Sequence, residues 1–126
     1  MGRAALIIDD SRAMRMVPGK VLKGLGFEVH EAQDGEEGLQ VLAQDNEIIL
    51  VLLDWRMEGM DGFEFITRLR AEERYADLPV LMITVENTKD KVLAACKAGV
   101  TDYLLKPFNK ALLVAKLERL GLAAID

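Results

Sequence analysis

A run of six aliphatic residues, Ile48-Ile49-Leu50-Val51-Leu52-Leu53, stops abruptly at Asp54 and passes into a loop that holds Gly59, Met60, Asp61 and Gly62. An uninterrupted apolar run of this length, bounded by turn residues, fits a strand buried on both faces, which requires a sheet covered by helices on each side. The pattern recurs twice. Ala4-Ala5-Leu6-Ile7-Ile8 stops at Asp9-Asp10, and Val80-Leu81-Met82-Ile83 ends at Thr84. Buried strands that each finish on a polar residue point to an α/β sheet whose strand ends gather at one edge, where ligands bind in such folds.

The segments between these strands read as helices. Ser11 suits an N-cap, and Met14, Val17, Val21, Leu22 and Leu25 recur at helical spacing before Gly24 and Gly26 close the segment. Pro18-Gly19 falls inside it, where a proline costs about 3 kcal/mol and a glycine about 1 more, so a kink or break is expected there. Phe27 to Ala32 alternates apolar with polar, as an edge strand does. Asp34 then caps a helix with Glu36 and Glu37 at its positive end and Leu39, Leu42 and Ala43 as its buried stripe. After Gly62 a helix should turn Phe63, Ile66 and Leu69 inward and Arg68, Arg70, Glu72 and Glu73 outward. Asp90 to Ala98 reads as a helix stopped by Gly99, Asp102 to Leu105 as a last strand leading into Lys106-Pro107, and Asn109 as the cap of a helix burying Leu113, Leu117 and Leu120. Strands alternating with helices five times predict a mostly parallel sheet with right-handed crossovers.

With 126 residues, half of them apolar, a single domain spanning residues 1–126 with no output domain is expected. Acidic residues outnumber basic ones, 21 to 16, for a net charge of -5, which argues against direct nucleic-acid binding or attraction to anionic lipid. No secretory signal or membrane-spanning apolar run is present, so membrane insertion is not expected and the cytoplasm is the expected compartment. Cys96, the only cysteine, excludes an intrachain disulfide and is read as a small helix-packing residue; His30, the only histidine, is read as solvent-exposed in the edge strand.

A parallel sheet brings Asp9, Asp10, Asp54, Thr84 and Lys106 to one edge. Three crowded carboxylates repel one another unless a cation neutralises them, and an all-oxygen set with an open shell suits Mg²⁺. Two acids would hold the metal while the third serves as ligand and nucleophile. Attack of Asp54 on a phosphoryl donor needs the charge on the transferred group offset, and the metal, the Lys106 ammonium and the Thr84 hydroxyl suit that task.

Asp9-Asp10, Asp54 followed by Met57 and Met60-Asp61-Gly62, Thr84, Tyr103, and Lys106-Pro107-Phe108 together resemble the response-regulator receiver family over essentially the whole chain. The resemblance implies a flavodoxin-like (βα)5 doubly wound fold with strand order 2-1-3-4-5. It implies phosphoryl transfer to Asp54 from a histidine kinase, a histidine phosphotransfer protein or a small acyl phosphate. Asp10 would bind Mg²⁺ directly, Asp9 through water, and the Arg56 backbone carbonyl would complete the protein ligands, with Mn²⁺ able to substitute. Thr84 would turn toward the phosphoryl group and Tyr103 would move inward behind it, remodelling the surface of the fourth helix, fifth strand and fifth helix for an unidentified downstream protein, as in chemotaxis-like regulators. Lys106-Pro107 resembles the family's cis peptide. The chain would be a monomer or a weak, phosphorylation-linked dimer.

Glu58 stands where many members carry proline, and Arg56 and Glu86 are expected on facing loops across the mouth, where as a pair they would hinder the attacking water and lengthen the phosphoryl lifetime. Two other functions compete. A phosphorylation-independent interaction module of the same fold would usually have lost an acid, the threonine or the lysine, all retained here. An aspartyl phosphatase would carry a second acid two residues after the nucleophile, where Arg56 stands.

Overall fold

The computed structural model describes residues 3–44, 47–55, 61–85 and 88–122. Five strands, β1 (Ala4–Ile8), β2 (Glu28–Ala32), β3 (Ile48–Asp54), β4 (Val80–Thr84) and β5 (Asp102–Leu105), form one sheet in the order β2-β1-β3-β4-β5, every pair parallel. The helices α1 (Arg12–Gly24), α2 (Gly35–Gln44), α3 (Gly62–Arg70), α4 (Lys89–Ala98) and α5 (Lys110–Arg119) connect and follow them, with a short 3₁₀ turn at Glu73–Tyr75. This is the flavodoxin-like (βα)5 arrangement that the family resemblance implies. No helix among the described residues is long and apolar enough to cross a membrane.

Strand alternation divides the core into two layers. Leu6 and Ile8, Val51 and Leu53, and Val80 and Met82 pack with Leu42 of α2, with Phe65, Ile66 and Leu69 of α3, and with Ala95 of α4. Ala5 and Ile7, Leu50 and Leu52, and Leu81 and Ile83 pack on the other face with Leu22 of α1 and with Leu113 and Leu117 of α5.

The structure corrects several expectations about the helices. Pro18-Gly19 does not break α1, which runs without interruption from Arg12 to Gly24. The two residues are buried, and a Cβ added at Gly19 would stand 3.8 Å from Ile7 Cδ1, so the proline and glycine are the face on which α1 approaches β1 and burial offsets the lost backbone bond. Met14 and Val17 are about half exposed instead of inward. In α3 the buried face is Gly62, Phe65, Ile66 and Leu69, a regular a/d/e stripe, and Phe63 points out. Arg70 is not an outward charge. It donates to the Gly99 carbonyl at 3.0 and 2.8 Å and to the Tyr75 carbonyl at 2.6 Å, and desolvation pulls its pKa below the usual value while Asp77 opposes the shift. Ala43 and Cys96 are exposed, with Leu42 and Ala95 taking the packing positions, and His30 is half-buried beside Glu28. The caps Ser11, Asp34 and Asn109 act as expected, accepting from Met14, Glu37 and Leu112 backbone N–H groups.

Candidate functional site

Because β1, β3 and β4 are parallel and adjacent, their C-terminal ends open side by side. Asp9 follows β1, Asp54 ends β3 and Thr84 ends β4; all three are buried, whereas Asp10 is exposed at the rim. Carboxylate oxygens of Asp9, Asp10 and Asp54 lie within 4.8 Å of one another. Lys106, just past β5, places Nζ 3.4 Å from Asp54 Oδ1 and 3.9 Å from Asp9 Oδ2. One ammonium among three carboxylates leaves an excess of negative charge in a partly desolvated site, and hard oxygen donors at this separation fit a divalent cation such as Mg²⁺.

Backbone geometry holds these groups in place. The Asp9 N–H donates to the Ala32 carbonyl at 3.1 Å, which extends the β1–β2 ladder by one residue, and Ser11 N–H donates to Asp9 Oδ1 at 2.9 Å. The ladder likewise extends past Asp54, with Trp55 N–H donating to the Ile83 carbonyl at 3.0 Å, and Lys106 N–H donates to the Thr84 carbonyl at 2.9 Å. The Lys106–Pro107 peptide is cis. Gly62 fits a requirement of space: a Cβ there would lie 2.4 Å from the Trp55 ring.

Of the residues singled out from sequence, Asp9, Asp10, Asp54 and Lys106 converge, and Thr84 borders them. By alternation Asp54 shares the α1/α5 face with Leu52, and Lys106 shares it with Leu104, whereas Thr84 shares the α3/α4 face with Met82. Tyr103 is not at the mouth. It pairs with Met82, packs half-buried against the α3/α4 core layer, and carries the Lys116 ammonium 4.6 Å from its ring centroid; Lys116 also contacts Asp102 Oδ1 at 3.1 Å. The expected Arg56 ligand, the Arg56–Glu86 pair, Glu58 and the motif positions Met57 and Met60 lie outside the described residues.

One residue of the site was missed. Arg15 donates Nη1–H to the Asp9 carbonyl at 2.5 Å and Nε–H to Glu31 Oε1 at 2.7 Å, so it ties the loop bearing Asp9 and Asp10 to the edge strand β2. Its signal was available, because long side chains in a first helical turn lean back toward the N-terminus and reach the preceding loop.

A sequence profile described as the response regulator receiver domain matches residues 5–118. A chemotaxis protein CheY homolog of Campylobacter jejuni is 40% identical over 114 residues, which cover 90% of this chain and 88% of the relative. The structure of the chemotaxis protein CheY4 of Vibrio cholerae superposes with a TM-score of 0.88 at 33% identity, over 94% of this chain and 98% of that one. The receiver domain of a Pseudomonas aeruginosa sensor histidine kinase, solved with a magnesium ion coordinated in its active-site cleft, superposes with a TM-score of 0.84 at 27% identity, over 94% and 97% of the two chains.

Proposed function

Since this chain belongs to the response regulator receiver domain family, we propose that it is a two-component signalling domain in which Asp54 accepts a phosphoryl group from a histidine kinase or histidine phosphotransfer protein. The observation that carries this reading is the convergence of three carboxylates within 4.8 Å with Lys106 Nζ 3.4 Å from one Asp54 oxygen.

An Asp54 oxygen attacks phosphorus in line with the bond to the donor imidazole, the P–O bond forms as the P–N bond breaks, and the nitrogen leaves with the electron pair. Asp9, Asp10 and Asp54 would hold Mg²⁺, with the Arg56 carbonyl as a further ligand. Bound there, the cation would neutralise charge on the transferred oxygens. The Lys106 ammonium, already placed between Asp9 and Asp54, supplies a fixed positive charge for the same oxygens. Arg15 keeps the Asp9–Asp10 loop from shifting as a ligand enters, and burial of Asp9 and Asp54 limits the water that reaches the acceptor.

The new charge on Asp54 biases an element with two arrangements. Thr84 would turn its hydroxyl to the phosphoryl group, Tyr103 would move inward behind it, and the α4–β5–α5 surface would change its affinity for a downstream protein, as the likeness to chemotaxis regulators suggests. The deciding experiment is intact mass after incubation with acetyl phosphate, in Mg²⁺ or in EDTA, for wild type and Asp54→Asn. Gain of one phosphoryl group that needs both Mg²⁺ and Asp54 is expected. No gain by a folded protein under a cold acid quench would overturn the proposal in favour of a phosphorylation-independent interaction module.

A further inference from the structure

Beside Asp54 lies a cavity of about 360 Å³ whose polar end is formed by Asp9, Asp54 and Lys106 and whose remaining lining is apolar. Its position follows from the sheet. Ile7 and Asp9, Leu52 and Asp54, and Ile83 and Val85 are i, i+2 pairs at the ends of three adjacent parallel strands, so each pair shares the α1/α5 face and the acidic mouth continues into an apolar trough. Val17 and Pro18 of α1 close one side and Phe108 the other. Pro18, the residue that seemed to threaten the helix, brings no backbone N–H to that wall. Val17 and Val85 are 56% and 55% exposed, apolar side chains held where water now reaches them.

We propose that this trough receives the leaving group of a small phosphodonor, so that the chain prefers acyl phosphates bearing an apolar acyl chain or an aromatic ring over acetyl phosphate. The inference rests on the reading of Asp54 as phosphoacceptor. Such a donor is an amphiphile that matches the cavity end for end. Its anionic phosphoryl group meets Lys106 and the cation-binding carboxylates, and its hydrocarbon part meets the rim formed by the exposed side chains of Met14, Val17 and Val85 and by half-buried Phe108. The volume is on the order of ten water volumes at about 30 Å³ each, enough for a phenyl ring or a four-carbon chain. The chemistry balances without another reactant. An Asp54 carboxylate oxygen attacks phosphorus, the bond from phosphorus to the acyl oxygen breaks, and the electron pair leaves on the acid as its carboxylate, with no proton required. A protein donor docking over the same mouth would leave the rates with small donors independent of the acyl chain, which is one outcome of the test.

The experiment compares initial rates of phosphorylation of the full chain by acetyl, butanoyl and benzoyl phosphate at equal concentration in Mg²⁺, read by intact mass. Wild type is set beside Val17→Asn, a change at a half-exposed rim position, and the fold of the variant is checked by its thermal unfolding. Each methylene withdrawn from water is worth up to about fourfold in rate, so butanoyl phosphate, with two more methylenes than acetyl, is expected to react about tenfold faster. In Val17→Asn that ratio should fall several-fold, and because the intrinsic reactivity of each donor cancels between the two proteins, the change reports the trough alone. A wild-type ratio near one, or a ratio unchanged by Val17→Asn, overturns the inference while leaving Asp54 phosphorylation intact. Failure of all three donors would instead overturn the phosphoacceptor reading, and the inference with it.

Discussion

The helices α3 and α4 follow neighbouring strands and pack on the same face of the sheet, yet they are anchored very differently. α3 buries Gly62, Phe65, Ile66 and Leu69, and its cap residue Asp61 accepts from the Glu64 N–H at 2.9 Å. α4 buries only Ala95, and its N-cap Thr88 makes no side-chain capping bond. Its firm end is the other one, where the Arg70 guanidinium from α3 holds the Gly99 carbonyl and a Cβ at Gly99 would meet Arg70 Cγ at 2.7 Å. The strand that carries Asp54 is therefore backed by a rigid helix, and the strand that ends in Thr84 leads to one that is loose at its near end. Motions that need little free energy are drawn from weakly packed elements. On the proposed function, a charge added at Asp54 would find its least costly response along β4 and α4, on the face where Thr84 and Tyr103 lie.

The largest test of this contrast is to truncate one large apolar side chain on each helix to alanine. Phe65→Ala empties a fully buried position and should cost about 3–5 kcal/mol in urea unfolding. Leu93→Ala, at a side chain 46% exposed on α4, should change stability by no more than about 0.5 kcal/mol. Comparable losses from both would show that α4 is held as firmly as α3 and would remove the physical basis for a compliant element there.

Hydrogen exchange sharpens the same point without mutation. Hydrogen-bonded amides in α3 should exchange at rates close to the global limit, and those in α4 from Val92, whose N–H is bonded to the Thr88 carbonyl, at least about tenfold faster through local opening. Phosphorylation of Asp54 should change protection in α4 and β5 more than in α3. An equal change in both helices would mean that the signal spreads through the whole layer instead of along one path.

How much of this was legible in the sequence follows from what each signal depends on. The apolar runs at Ile48 and Val80, short, bounded by turn residues and alternating with helical patterns, indicated parallel strands buried on both faces, and the polar residues at their ends indicated the mouth. Helix faces were harder. Phe63 and Phe65 are equally apolar, and only the close approach of Gly62 to Trp55 and the a/d/e phase of Ile66 and Leu69 decide which turns inward. Pro18 looked like a helix breaker because propensity scales describe isolated helices, and here tertiary burial outweighs propensity. Arg70 looked like a solvated charge, since a sequence does not display the backbone carbonyls of Tyr75 and Gly99 that it reaches.

The smallest predicted effect addresses the loose end of α4 directly. Thr88 has extended backbone angles, φ −80° and ψ 139°, which are those of an N-cap, but its hydroxyl does not accept from the first turn. Thr88→Asp would place a stronger acceptor at that position and a negative charge at the positive end of the helix dipole, stabilising α4 by about 0.5–1 kcal/mol. Exchange in α4 from Val92 should slow by a factor of about two to five while α3 stays unchanged. If the movement of α4 is what carries the signal, the variant should also need more free energy from phosphorylation to rearrange, and the phosphorylation-induced change in α4 protection should shrink. Slower exchange there with an undiminished phosphorylation response would place the rearrangement in β5 and Tyr103, beyond the reach of the α4 cap.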